Sequence, residues 1–178
     1  MTYAEMFKKM VIRQQYLGQA EVAANKLLVF KDRYEKVADI LKCPWYFIAL
    51  IHYRESAAHF DGVLHNGEKI IGTGAKTKLV PKNRGPFSTW EEAAIDALEL
   101  RNIQKVDKWD LENLLEELEQ WNGLGYKNYH PEIPTPYLWS GTTYYMKGKY
   151  AADGKFDPNL VDKQLGVAPI LKFLDKTL

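Results

Sequence analysis

The sequence predicts a mainly α domain (α+β at its margin), built round one buried central helix with one small β-hairpin. Three observations carry that expectation. Trp45 through Ile51 is apolar on every face of a helix, which places that helix inside a core. Segments with helical apolar spacing stand on both sides of it, several with cap residues. Shortly after it comes Asn66-Gly67, the strongest short hairpin signal.

Taken in order, Thr2 to Ile12 reads as a short helix with Tyr3, Met6, Met10 and Val11 near one face. Gly18 is a candidate break. Glu21 to Leu41 reads as one long helix striped by Val22, Leu27, Phe30, Tyr34, Val37 and Leu41. Pro44 suits the first position of the central helix, where its missing N–H costs nothing. Phe60 to Ile71 is the expected hairpin, and Gly72 to Pro86 a glycine- and lysine-rich loop of the kind that lines sites. Ser88 with Glu91 predicts a capping box opening a helix to about Leu100, with Ala93, Ala94, Ala97 and Leu98 inward. Asp110 is expected to cap a helix to Trp121, striped by Leu111, Leu114, Leu115 and Leu118 and ended by Asn122-Gly123. Gly125 to Tyr150 reads as irregular apart from a short helix at Pro136. Asp157-Pro158 is expected to start a helix stopped by Gly166, and Pro169 to Leu174 to form the last one. No repeat or linker interrupts the chain, so 1–178 is expected to be a single domain, large enough to bury a core without metal or disulfide.

With 24 Lys plus Arg against 23 Asp plus Glu, the net charge of +1 argues against a nucleic-acid partner. The charge is unevenly spread: Lys69, Lys76, Lys78, Lys82 and Arg84 lie in a stretch without acids, which favours an anionic substrate or is simply a solvated loop. Cys43 is the only cysteine, so no internal disulfide forms, and beside the buried helix it reads as a packing residue. Met1 to Glu5 carries no basic-then-apolar pattern. No signal peptide and no membrane span are therefore expected, nor a cofactor.

The chemistry concentrates at Glu55, at the end of the central helix. Burial disfavours the charged carboxyl, and the negative end of the helix dipole disfavours it again. A carboxyl that keeps its proton is what a general acid needs. The plainer alternative is that Glu55 pairs with Arg54 or caps a neighbour. A general acid of this kind can work with a second carboxylate facing it. Asp61 and Glu68 are the candidates. Glu68 follows the tight turn, which would hold it rigidly, whereas Asp61 is equally suited to forming the turn before Gly62. A cluster of aromatics, including Trp121, Tyr126, Tyr137 and Trp139, offers flat apolar faces with polar tips suited to sugar rings, with about half expected in the core. Other chemistries fit less well. His52, Glu55 and His59 share a helical face, but no His-Glu-x-x-His order is present, so no metal site is expected. Ala75 interrupts a phosphate-loop pattern at Gly74 to Thr77, and Ser56 lacks nucleophile-elbow glycines.

His52-Tyr53-Arg54-Glu55-Ser56 resembles the catalytic-glutamate segment of goose-type lysozymes and soluble lytic transglycosylases. Trp121-Asn122-Gly123-Leu124-Gly125-Tyr126 is similar to their Tyr-Asn-x-Gly segment, with Trp121 in place of the tyrosine. The chain resembles more closely the small lysozyme-like proteins of phages and prophages. The matching segments are His65-Asn66-Gly67-Glu68 (Asp in the relatives at the last position), Pro136 to Ser140, and Gly148 to Pro158. The resemblance spans about residues 45 to 174. It implies a lysozyme-like fold and an endolysin-type muramidase that hydrolyses the β-1,4 bond between N-acetylmuramic acid and N-acetylglucosamine, with Glu55 as general acid and Glu68 or Asp61 as its partner. Asn122, Tyr126, Tyr137 and Trp139 would grip the glycan. Thr77, with Thr73, would hold a water by analogy. The implied partner is the glycan strand of peptidoglycan and the expected state a monomer. The protein would be made in a host cytoplasm and reach the wall through a separate pore. A lytic transglycosylase giving 1,6-anhydro products, which needs no second carboxylate, and a non-catalytic glycan-binding or phage structural protein are the alternatives.

Overall fold

A computed structural model describes residues 1–177 of the chain. It is mainly helical, with a single two-stranded antiparallel sheet among the described residues. The chain divides into two compact units, Met1–Asn25 with Asp110–Leu178, and Lys26–Trp109.

The helices are α1 (Tyr3–Lys9), α2 (Leu17–Val29), α3 (Lys31–Leu41), α4 (Trp45–Ser56), α5 (Trp90–Leu100), α6 (Leu111–Asn122), α7 (Gly125–Tyr129), α8 (Pro136–Trp139) and α9 (Val167–Leu174). The expected long helix from Glu21 to Leu41 is two helices, and Gly18 lies inside the first rather than breaking it. The break is at Phe30 (φ −103°, ψ 13°), whose ring packs edge-on against Phe60 at 4.9 Å. Leu27, Tyr34, Val37 and Leu41 stay buried on either side, so the apolar stripe runs on through the break. Val22, expected on that stripe, is exposed; Ala20, Ala23 and Ala24 are buried instead.

Helix α4 is the centre of the Lys26–Trp109 unit. Trp45 and Phe47 through His52 are all buried, as an all-apolar helix requires. Helix α3 packs against both α4 and α5. The α5 cap is one residue later than expected: Thr89 and Glu92 form the box. Glu91 is thereby released to pair with Arg33 of α3 through two contacts at 2.7 and 3.0 Å. Ala93, Ala94, Ala97 and Leu98 are buried as anticipated.

In the other unit, the Asp110 side chain accepts from the Asn113 amide at 2.9 Å, and Gly123 at φ +107° ends α6. The sheet, β1 (Lys149–Ala152) with β2 (Lys155–Asp157), turns at Asp153-Gly154. Asp-Gly is a hairpin signal of the same kind as Asn-Gly. The hairpin expected at Asn66-Gly67 is instead a looped turn closed by a lone bridge between Gly62 and Lys69. Asp157-Pro158 starts no helix, because Asp157 ends β2 and its side chain caps the amides of Asn159 and Leu160 at 2.8 and 3.2 Å. Gly166 precedes the final helix, α9, rather than ending an earlier one.

Candidate active site

Glu55 occupies the last turn of α4 and is half-buried. Beyond it the chain leaves the helix through two consecutive left-handed residues, Ala57 (φ 52°) and Ala58 (φ 58°). Non-glycine residues in that conformation are uncommon and need outside support. The support is visible. The Ala57 and Ala58 amides donate to the carbonyls of Tyr53 and His52 at 2.9 and 3.1 Å. Lys26 Nζ donates to the Ala57 carbonyl at 2.8 Å, a cation at the negative end of the helix.

His52, one turn before Glu55, locks this exit. Its ring is fully buried; Nδ1 meets the Tyr34 hydroxyl at 2.9 Å and Nε2 meets the His59 carbonyl at 2.9 Å. Since a carbonyl only accepts, the proton sits on Nε2, and Nδ1 accepts from the phenol. Phe60 and Trp90 flank the ring at 4.6 and 4.7 Å. Burial pushes the imidazole down to about 4, so it stays neutral in ordinary conditions. Burial likewise raises the Tyr34 phenol. Ser56 Oγ lies within 3.3 and 3.1 Å of the carbonyls of His52 and His59, and reinforces the same closure.

The Asn66-Gly67 turn lies directly against this helix end. Gly67 (φ +81°) is so close that a Cβ there would lie 2.4 Å from the Glu55 carbonyl oxygen, and a Cβ on Gly62 would come within 2.8 Å of Ser56 Cβ. Only glycine fits both the backbone angle and the gap at 67. The structure therefore brings the turn and Glu55 together.

Glu68, the expected second carboxylate, is engaged by the turn and by the loop that follows it. Its Oε1 accepts from the amides of Lys78 and Leu79 at 3.0 and 2.9 Å and from Asn66 Nδ2 at 2.9 Å; Oε2 shares the Lys78 amide at 3.0 Å. The Lys78 and Leu79 amides, with Asn66, hold its carboxyl below the usual range. The carboxylate thus anchors the lysine-rich loop to the turn. Asp61 is exposed, 4.0 Å from Lys69 Nζ. Thr77 is buried. Its hydroxyl donates to the Pro81 carbonyl at 2.5 Å and accepts from the Arg84 amide at 2.9 Å, so it fastens the loop. Thr73 is exposed and its hydroxyl donates to the Ile70 carbonyl at 2.7 Å.

A further polar knot supports the turn. His65 Nε2 pairs with Asp96 Oδ2 at 2.7 Å, and Arg84 grips the same carboxylate, its Nε at 3.0 Å. Burial lowers the imidazole of His65, while hydrogen bonds from Arg84 and His65 outweigh burial and hold Asp96 low. Asp96 was not anticipated, yet the sequence carried a signal: a carboxylate beside the Ala93–Ala97 stripe of α5 is a polar group on an inward face. Cys43 is half-buried, with its thiol pushed up to about 12 by burial, which suits the packing role.

The expected glycan-gripping residues lie in the Met1–Asn25 with Asp110–Leu178 unit. Asn122 is exposed at the end of α6. Tyr137 and Trp139 are 2% and 1% exposed and Tyr126 is 6% exposed, so these three serve as core rather than as an open aromatic surface. The Tyr126 hydroxyl accepts from the Tyr150 amide at 3.3 Å, and burial pushes the phenol up to about 12. Their number made them look like a sugar platform, whereas their burial follows from bulk: large aromatics supply most of the area a small core can hide. Within this unit, a cleft of about 330 Å³ has Trp139 in its lining.

Among the described residues no cluster of three or more His, Cys, Asp or Glu side chains is placed to hold a metal ion. No helix among them is long and apolar enough to cross a membrane. No protein-family model, no curated protein and no solved structure matches the chain.

Proposed function

We propose that the chain is a peptidoglycan-cleaving glycosidase in which Glu55 protonates the glycosidic oxygen of the leaving sugar. One observation carries the reading: a half-buried carboxyl group at the end of an apolar helix, whose exit is locked by His52 and whose own carbonyl is pressed by the Gly67 turn. A general acid acts through position before pKa, and this one is held on a rigid element. The segment His52 to Ser56 and its resemblance to lysozyme catalytic segments supply the substrate class, the N-acetylmuramic acid–N-acetylglucosamine strand. A lysozyme-like arrangement, a single catalytic domain acting as a monomer, and access to the wall through a separate pore belong to the same proposal.

In a hydrolase the attacking water needs a second carboxylate. With Glu68 anchoring the loop, Asp61 is the residue proposed for that task. The Glu68 anchorage also favours a second reading, a lytic transglycosylase, in which the sugar's own 6-hydroxyl attacks and no second carboxylate is required. Mass spectrometry of purified peptidoglycan after digestion separates them. Free reducing N-acetylmuramic acid, with slower turnover in Asp61→Asn, identifies the hydrolase. Products lighter by one water identify the transglycosylase. Binding to peptidoglycan with no soluble products overturns both and leaves a non-catalytic binder.

A further inference from the structure

The cleft lined by Trp139 contains two polar groups whose hydrogen bonding is incomplete. Glu119 of α6 is 5% exposed, and among the described residues its carboxylate has one hydrogen-bond partner, the Tyr3 hydroxyl. An ionised carboxylate offers about four acceptor sites. Thr135 is 2% exposed and its hydroxyl has no hydrogen-bond partner among the described residues. Both residues line the same cleft. Glu112, also in the lining, is already used: its oxygens accept from the amides of Tyr3 and Ala4 at 3.0 and 2.7 Å and cap α1. Lys127, at the same cleft, lies 3.8 Å from Glu116. Leaving buried polar groups under-bonded is costly, so a cleft that has two of them in its lining, beside apolar walls, suits a donor that arrives from outside.

The walls define that donor. Met6, Ile133 and the Trp139 ring are apolar, and the volume of about 330 Å³ lies at the small end of ligand sites. Water could serve the carboxylate and the hydroxyl, but it gains nothing from these walls. A primary ammonium brings three N–H donors and a positive charge to Glu119 and a donor for Thr135 Oγ1. An alkyl stem fills the rest. We propose that this cleft binds a primary ammonium carried on a short aliphatic chain, the chemistry of an alkylamine or a lysine-type side chain. The inference does not rest on Glu55.

The test uses the full-length chain titrated with n-pentylammonium chloride, following the Trp139 indole N–H resonance, with n-pentanol and pentanoate as controls. The ammonium should give a saturable shift in the millimolar range, and the controls should not. Glu119→Gln should weaken binding at least about tenfold, the loss expected when a charge-assisted hydrogen bond becomes a neutral one. Thr135→Val should weaken it several-fold while leaving the melting temperature of the free protein unchanged, because no hydrogen bond is lost. This second variant decides the matter if Glu119→Gln fails to fold. Absence of saturation, equal shifts with pentanol, or full-strength binding by Thr135→Val overturns the proposal.

Discussion

In the Lys26–Trp109 unit, the polar groups round the end of α4 and in the loop beyond it are bonded within the protein, although His65 Nδ1 and Trp90 Nε1, also buried there, have no hydrogen-bond partner among the described residues. His52 uses both ring nitrogens, one on Tyr34 and one on the His59 carbonyl. Thr77 uses its hydroxyl as donor and as acceptor, and Glu68 holds two amides of the loop. In the other unit, among the described residues, Glu119 has a single hydrogen-bond partner and Thr135 Oγ1 has none. The difference separates two uses of burial. Satisfied groups fix a geometry, as a general acid needs, whereas the under-satisfied pair lining the cleft is, on the proposal above, where something that is not part of the chain binds.

That contrast breaks first at its cores. Trp139→Ala should lower stability by about 3–5 kcal/mol, since it removes a fully buried indole. Chemical denaturation measures it, and a loss below about 1 kcal/mol would mean that the ring is a surface platform after all. Gly67→Ala should cost about 2–4 kcal/mol, from a left-handed backbone angle plus overlap with the Glu55 carbonyl. It should also slow glycan cleavage, and unchanged stability would detach the turn from the helix end.

Acid sharpens the His52 side of the comparison. The unfolded imidazole takes its proton near 6.5 and the folded one only near 4, so between those values the unfolded state holds more protons. Stability is therefore full above pH 6.5 and falls as pH drops toward 4, with about 2 kcal/mol lost between pH 7 and pH 5. His65, also lowered by burial, adds to the same slope. Urea midpoints across that window should show a shallower slope in His52→Gln, and an identical slope in that variant would clear His52 of the role.

The smallest expected effect is local. Glu68→Ala frees the amides of Lys78 and Leu79, so their hydrogen exchange should accelerate while that of α4 does not change. Turnover reduced by orders of magnitude with exchange at Lys78 and Leu79 unaltered would return Glu68 to the chemistry.

The sequence made the central helix legible because Trp45 to Ile51 has no polar face, and α6 because Asp110 and Gly123 bracket an unbroken leucine stripe. The break at Phe30 was not legible, since the apolar stripe continues through it and the ring's partner, Phe60, lies thirty residues on. The two turns show the limit of local signals. Asn66-Gly67 and Asp153-Gly154 carry the same kind of signal, but a ladder forms only at the second; at the first, Glu68 accepts from the loop amides of Lys78 and Leu79. At the candidate site, Glu55 was legible from its place at the helix end. His52 was visible only as a neighbour, because Tyr34 and Trp90, which define its role, lie on other helices. Asp96 and Glu119 left a faint mark, each an acid beside an apolar stripe, which spacing alone does not tell from a surface residue.

The most direct measurement is release of soluble muropeptides from purified peptidoglycan by the parent protein and by Glu55→Gln at equal concentration. The amide keeps the shape of the carboxyl but has no acidic proton to give. The parent should release fragments, and the variant should do so about 10²–10⁴-fold more slowly at an unchanged melting temperature. A parent that releases fragments and a variant within a few-fold of it would contradict the assignment of Glu55 as the general acid.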